Sequence, residues 1–165
     1  MADKVKVIME NGGEYIIELY PEYAPETVAN FLKLVNDGFY NGLTFHRIVD
    51  GFMAQGGDPE GTGCGGSAET VKGEFSANGF TQNTLSHERG VISMARSMDM
   101  NSASSQFFIC YGDCSFLDGN YAAFGKVTDG MDVVDGFLGV DRTFNSMGEF
   151  ASPKTPVRIK TMETM

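Results

Sequence analysis

The chain has little of what enzymes commonly use to move protons, hold metal or attack carbonyls. It carries two histidines, His46 and His87, and three scattered cysteines, Cys64, Cys110 and Cys114, in 165 residues. No Gly-x-Ser-x-Gly and no caspase- or papain-like cysteine setting is present, which excludes the common hydrolytic triads. Cys110-x3-Cys114 lacks the second pair of a zinc knuckle and the Cys-x-x-Cys spacing of dithiol oxidoreductases, so a redox role ranks last and reduced thiols are expected. Basic residues are also scarce: 12 Lys plus Arg against 22 Asp plus Glu leave a net charge of −10. That balance argues against nucleic acid, whose phosphates need a basic stripe, and against an anionic membrane surface. No window approaches 18 apolar residues, and Met1-Ala2-Asp3-Lys4-Val5 lacks the basic and apolar regions of a leader. A cytoplasmic protein is the expectation.

What is present is globular. Hydrophobic residues make up 42%, with 13 Phe, and a chain of this length buries about 68–70% of its extended surface without staples. One domain over residues 1–165 is expected. The 21 Gly point to a turn-rich, mostly β architecture.

Val5, Val7 and Met9 alternate with Lys4, Lys6 and Ile8 before Asn11-Gly12-Gly13, and Tyr15 to Leu19 returns: a hairpin. Pro25 and Glu26 suit a helix start, Ala24 is a poor cap, and Gly38 suits a left-handed stop. Between them Val28, Phe31, Leu32 and Val35 form one apolar face. Short apolar runs follow at 45–49, 52–55, 91–95, 106–110 and 122–127, then a short helix at 131–137 and a last strand from Val157. About eight strands and two helices predict a closed antiparallel barrel capped by helices. The stretch from Gly56 to Gly79 has six Gly by Gly66 and little periodicity, so it reads as a long functional loop.

Gly61-Thr62-Gly63-Cys64-Gly65-Gly66 matches a dinucleotide fingerprint by letter, but no helical run follows it, so it reads as a turn. His46 and Arg47 are neighbours in an alternating strand and are expected on opposite faces; His87 reads as a hydrogen-bonded histidine at a strand edge. The remaining constellation is one arginine among Phe, Met and Gln: Arg47, then Met53 and Gln55 on one face of the next strand, and Gln106 and Phe108 on one face of a third. Gly51 supplies the bend that brings Phe52 to the same face.

At these residues the sequence resembles the cyclophilins, the peptidyl-prolyl cis/trans isomerases. Phe45 to Asp58 is similar to the family's signature; Ile92 to Arg96 with Asn101-Ser102 and Ser105 to Ile109, and Phe116 to Tyr121 with Phe124 to Val127, are similar to two further blocks. The resemblance runs from about Lys4 to Met162. It implies an eight-stranded antiparallel barrel with a helix over each open end, Arg47 as the catalytic arginine and no cofactor. It further implies a proline pocket of Phe52, Met53, Phe108 and Leu117, with Gln55, Ala95, Arg96 and Gln106 holding the flanking peptide and Phe116 and Tyr121 on the rim. The partners implied are proline-containing peptides and folding proteins, met by a monomer; the alternative is a module that binds such peptides without turning them over. Phe116 stands where many members have Trp, so cyclosporin binding is expected to be weakened. Tyr121 stands where the animal enzymes have His, Arg96 where an Asn is usual, and Ser104 where Gly is frequent. The short Gly57–Gly61 connection is similar to bacterial members.

Overall fold

The computed structural model describes residues 3–165; Met1 and Ala2, the start of the segment read for a leader, lie outside the described residues. In chain order the elements are β1 (Lys4–Met9), β2 (Glu14–Leu19), α1 (Pro25–Asn36), β3 (Thr44–Val49), β4 (Met53–Asp58), β5 (Val91–Met94), β6 (Phe107–Cys110), β7 (Ala123–Asp129), α2 (Met131–Gly136), β8 (Arg142–Phe144), β9 (Phe150–Pro153) and β10 (Ile159–Thr164). Eight strands form one antiparallel sheet in the order β10-β1-β2-β7-β5-β6-β4-β3. Its two ends meet through the single bridge Thr44–Arg158 and the backbone bonds that Gly42, Phe45 and Ile159 donate across the seam. The expected eight-stranded barrel is therefore present, but its seam is a bridge and a few bonds rather than a full ladder. β8 and β9 pair separately as a hairpin absent from the expected tally, because three and four residues are too short to show a period.

Alternation places Val5, Val7, Met9, Tyr15, Ile17 and Leu19 inside. Helix α1 sets Phe31 against Tyr40, Phe107 and Phe124, with ring centroids 5.3, 5.9 and 5.1 Å away. Beyond α2, Phe137 closes on Phe45 at 4.8 Å. The buried face of α1 is Thr27, Val28, Phe31, Leu34 and Val35; Leu32, expected inside, is only partly buried and Leu34 takes its place. Gly38 ends the helix with φ of +72°, its N–H bonding Val35 O and that of Phe39 bonding Leu34 O, the Schellman arrangement.

The weak cap at Ala24 has a distant remedy. Glu74, fully buried, accepts the N–H of Glu26 at 3.1 Å and of Thr27 at 2.7 Å, and the Thr27 hydroxyl at 2.6 Å. A carboxylate from the long loop thus serves the open end of α1, satisfying donors that a serine or aspartate would otherwise take. Glu74→Ala is expected to lower stability by about 2–3 kcal/mol, since it strips charge-assisted bonds from a buried helix end; urea unfolding measures it.

Candidate active site

Strand β6 divides its side chains between two apolar clusters. Phe107 and Ile109 enter the main core. Phe108 and Cys110 leave the other face and join Met53 and Cys114, with Val49, Phe52, Ala95, Leu117 and Tyr121 partly buried against them. Register brings Met53 opposite Cys110, Gln55 opposite Phe108, and Arg47 opposite Gln55. The barrel therefore carries a second, smaller apolar cluster outside its core, with an arginine on its edge.

In β3 the ladder shifts between Phe45 and Arg47. Phe45 and Ile48 are both buried although three residues apart, so strict alternation fails there. His46 and Arg47, expected on opposite faces, instead border one open cleft of about 840 Å³. An extra residue in a bulge re-aims the side chains beside it.

Between the strands and the 3-10 turn Ser115–Leu117 lies a notch of about 190 Å³ lined by Arg47, Phe52, Met53, Gln55, Ala95, Arg96, Phe108, Leu117 and Tyr121. All were expected in the site. The other two expected residues lie beside the notch. Gln106 lines an adjoining hollow of about 370 Å³, and Phe116, 69% exposed, sits with its ring 5.7 Å from that of Phe52. Phe52 lies in the turn before β4 rather than on the strand, with Gly51 at φ of +74° making the bend.

A relay of amides fixes the polar wall. Arg47 Nη1 donates to Gln55 Oε1 at 3.1 Å, Gln55 Nε2 to Gln106 Oε1 at 2.9 Å, and Gln106 Nε2 to Gly65 O at 2.8 Å. The other edge of the guanidinium is held by a residue the sequence reading missed. Arg47 Nε and Nη2 donate to Glu149 Oε1 and Oε2 at 2.6 and 2.8 Å, across 102 residues. That guanidinium holds the Glu149 carboxyl below the usual glutamate range. Arg47 Cζ lies 5.8 Å from the Phe52 ring centroid.

The glycine-rich segment, similar by letter to a phosphate loop, wraps a carboxylate of its own chain. Asp58 accepts the N–H of Glu60 (2.8 Å), Thr62 (2.9 Å), Gly63 (2.6 Å) and Gly65 (3.2 Å). Burial pushes this carboxyl up, yet the four N–H groups together hold it below the usual aspartate range. A Cβ at Gly65 would strike the Asp58 carboxylate, so that position requires glycine. On the far wall Arg96 lies between two rings, its Cζ 4.9 Å from the centroid of Phe75 and 4.8 Å from that of Tyr121. Its donors go to Asn120 O and Ser97 O. The guanidinium of Arg96 thus packs against Tyr121 while lining both the notch and the adjoining hollow.

Beneath Phe108 runs a chain of three polar groups. His87 Nδ1 meets Asp118 Oδ1 at 2.8 Å and Nε2 meets Ser93 Oγ at 2.9 Å, and the imidazole stacks on Phe108 at 6.0 Å and 15°. The spacing is that of a hydrolytic triad, but Ser93 and His87 are sealed from solvent, so the hydroxyl cannot reach a substrate. His87 is hydrogen-bonded as its sequence setting implied, but it lies in the loop before β5 rather than at a strand edge. Cys110 and Cys114 are buried and Cys64 is exposed, all as free thiols. Burial pushes the Cys110 thiol well up, which opposes thiolate chemistry. Among the described residues no group of three His, Cys, Asp or Glu is placed to hold a metal ion, and no helix is long and apolar enough to cross a membrane.

Known proteins resemble this chain in sequence and fold. Residues 4–164 match the family model of cyclophilin type peptidyl-prolyl cis-trans isomerase/CLD. Peptidyl-prolyl cis-trans isomerase B of Bacillus subtilis is 49% identical over 125 residues, 76% of this chain and 83% of that one. A peptidyl-prolyl cis-trans isomerase of Helicobacter pylori is 45% identical over 130 residues, covering 78% and 76%. The crystal structure of a cyclophilin type isomerase from Cryptosporidium parvum, in the presence of the dipeptide Ala-Pro, superposes with a TM-score of 0.82 at 30% identity over 98% of both chains. The chain belongs to the cyclophilin-type peptidyl-prolyl cis-trans isomerases. It is an isomerase of X–Pro peptide bonds, so the reading as a non-catalytic peptide-binding module gives way to the enzyme.

Burial lowers the pKa of His87 against the opposing pull of Asp118, and lowers that of His46 as well, with Asp58 opposing and Arg47 adding to the effect. The folded state therefore resists protonation that the unfolded chain accepts near pH 6.5. Stability is expected to be full above about pH 6.5 and to decline as pH falls below it. The losses from Asp58, Asp118 and Glu149, whose carboxyls are held low, enter only in the carboxylate range below. A lower urea midpoint at pH 5.5 than at 7.5, with a smaller difference in His87→Gln, is the expected outcome.

Proposed function

We propose that Arg47 performs the isomerisation by donating to the twisted amide while the proline ring sits in the notch of Phe52, Met53, Phe108 and Leu117. Rotation about an X–Pro bond breaks amide resonance over a barrier of about 18–20 kcal/mol. In the twisted state the proline nitrogen regains a lone pair, and a guanidinium aimed at it or at the neighbouring carbonyl oxygen stabilises that state over the planar ones. No proton is transferred and no covalent bond forms. A charged donor in a partly dry site supplies about 3–4 kcal/mol of differential stabilisation. Burial of the proline ring contributes about 1–2 kcal/mol, equally to both isomers and the transition state, and so sets affinity rather than turnover. Arginine suits the task better than lysine because its donors are fixed in one plane.

The observation that carries this reading is the place of Arg47 on the wall of the apolar notch, beside Phe52 and Gln55. In it Gln55, Gln106, Ala95 and Arg96 shape the walls along which the flanking peptide runs, with Tyr121 and Phe116 at the rim. The clients are proline-containing segments of folding proteins, met by a monomer in a reducing compartment such as the cytoplasm; three free thiols fit that setting. Arg47→Ala is expected to lose about 10²–10³-fold in kcat/KM while still unfolding cooperatively in urea, the loss measured by protease-coupled isomerisation of a proline peptide. Full activity in that variant would remove Arg47 from its role.

Cyclosporin binding is proposed to be weak, because the exposed Phe116 ring has area but no donor where many relatives have an indole N–H. Phe116→Trp is expected to tighten cyclosporin binding by at least about tenfold, the worth of one hydrogen bond of about 1.4 kcal/mol, read by calorimetric titration.

A further inference from the structure

The turn joining β8 to β9 is built to deliver one carboxylate. Asn145 Oδ1 accepts the N–H of Met147 and of Glu149, both at 3.0 Å. Asn145 N donates to Glu149 O at 2.9 Å, and Gly148, at φ of +77°, returns its N–H to Asn145 O at 3.0 Å. The same asparagine then braces the side chain it has placed, Nδ2 donating to Glu149 Oε1 at 3.1 Å. The hairpin itself is tied to the strand that bears Arg47, since Arg142 Nη1 donates to Ile48 O at 3.0 Å. Among the described residues every hydrogen bond to the Glu149 carboxylate thus comes from its own turn or from Arg47.

We propose that Glu149 is a positioning residue for the isomerase reaction, gripping Arg47 side-on so that the guanidinium presents its remaining donors to the proline notch; the proposal rests on reading Arg47 as the catalytic group. A guanidinium has five N–H donors. Glu149 takes one from Nε and one from Nη2, and Gln55 takes one from Nη1. One N–H on each of Nη1 and Nη2 is left for the substrate. Two acceptors on different edges fix the plane of the group, which a single contact to Gln55 leaves free to rotate.

A carboxylate beside a catalytic cation also works against it, by offsetting charge. Here orientation wins. Both side chains keep about a third of their surface in water, 33% for Arg47 and 28% for Glu149, so solvent screens the charge offset. The geometric effect is not screened: a displacement of about 1 Å in a reacting group costs up to ~10²-fold in rate.

The test compares kcat and KM, in the peptide isomerisation assay, for wild type, Glu149→Ala, Glu149→Gln, Arg47→Ala and the double variant Glu149→Ala/Arg47→Ala. Glu149→Ala is expected to lose about tenfold in kcat with KM within about twofold, part of the displacement cost because Gln55 still holds one donor. Glu149→Gln, which keeps the length and one acceptor oxygen, is expected to fall between it and wild type. In the Arg47→Ala background Glu149→Ala is expected to cost nothing further, because its effect runs through the guanidinium. Wild-type or faster turnover in Glu149→Ala, alongside a poorly active Arg47→Ala, overturns the role of Glu149 and leaves Arg47 in place. The same loss in both backgrounds also overturns it, assigning Glu149 to hairpin folding instead. Activity retained in Arg47→Ala removes the catalytic reading beneath both.

Discussion

A charged group set against an apolar hollow on the outside of a strongly curled sheet is the constraint that organises this molecule. Water competes for a guanidinium, and exposed apolar surface tends to bury itself, so neither persists in isolation in a useful orientation. The barrel resolves this by dividing the residues of β4 and β6 between its two faces. Ala54, Phe107 and Ile109 belong to the core, while Met53 and Phe108 belong to the outer cluster. Met53, Gln55 and Phe108 in the wall of the notch are therefore held by the sheet itself, and the arginine stands on a strand hydrogen-bonded to the same sheet. The proposed catalysis without proton transfer depends on this fixity, because a fixed dipole or charge costs no reorganisation when the amide twists.

The site's hydrogen bonds fall into a continuous frame. From Glu149 through Arg47, Gln55 and Gln106 to Gly65, each group uses its neighbour as partner. Buried polar groups satisfied in series specify one arrangement more strictly than isolated pairs do. On the opposite wall, Arg96 between Phe75 and Tyr121 does the same with aromatic faces and carbonyl oxygens. Both arginines donate once from each of their three nitrogens within the chain, Arg47 to side chains and Arg96 to backbone oxygens.

Much of this was legible in the sequence because it is local or periodic. The β1–β2 hairpin, the stop at Gly38 and the alternation of Phe107 with Phe108 follow from turn chemistry and period. The notch residues lie in segments that resemble a family with a shared site, and all but Gln106 and Phe116 line one cavity. What escaped is non-local or aperiodic. Glu149 lies 102 residues from Arg47, in a hairpin too short for a period, and only its Asn145-x-x-Gly148 turn left a trace. The bulge in β3 moved His46 to the side of Arg47, since no residue type announces a bulge there. Glu74 as the cap of α1 is a tertiary substitution for a missing local signal at Ala24. The β8–β9 pair was invisible for the same lack of length.

The ring of amides around Asp58 carries a consequence of its own. Its four donors are uncharged peptide groups, so the outline of the adjoining hollow does not hang on a pair of opposite ions that mobile electrolyte can weaken. The Arg47–Glu149 contact lacks that immunity. In dilute medium and in brine alike, the glycine wall keeps its contour while the cation's tether loosens or tightens. On the proposed reading of the site, ionic strength then acts on turnover through the Arg47–Glu149 contact more than on the wall beside it.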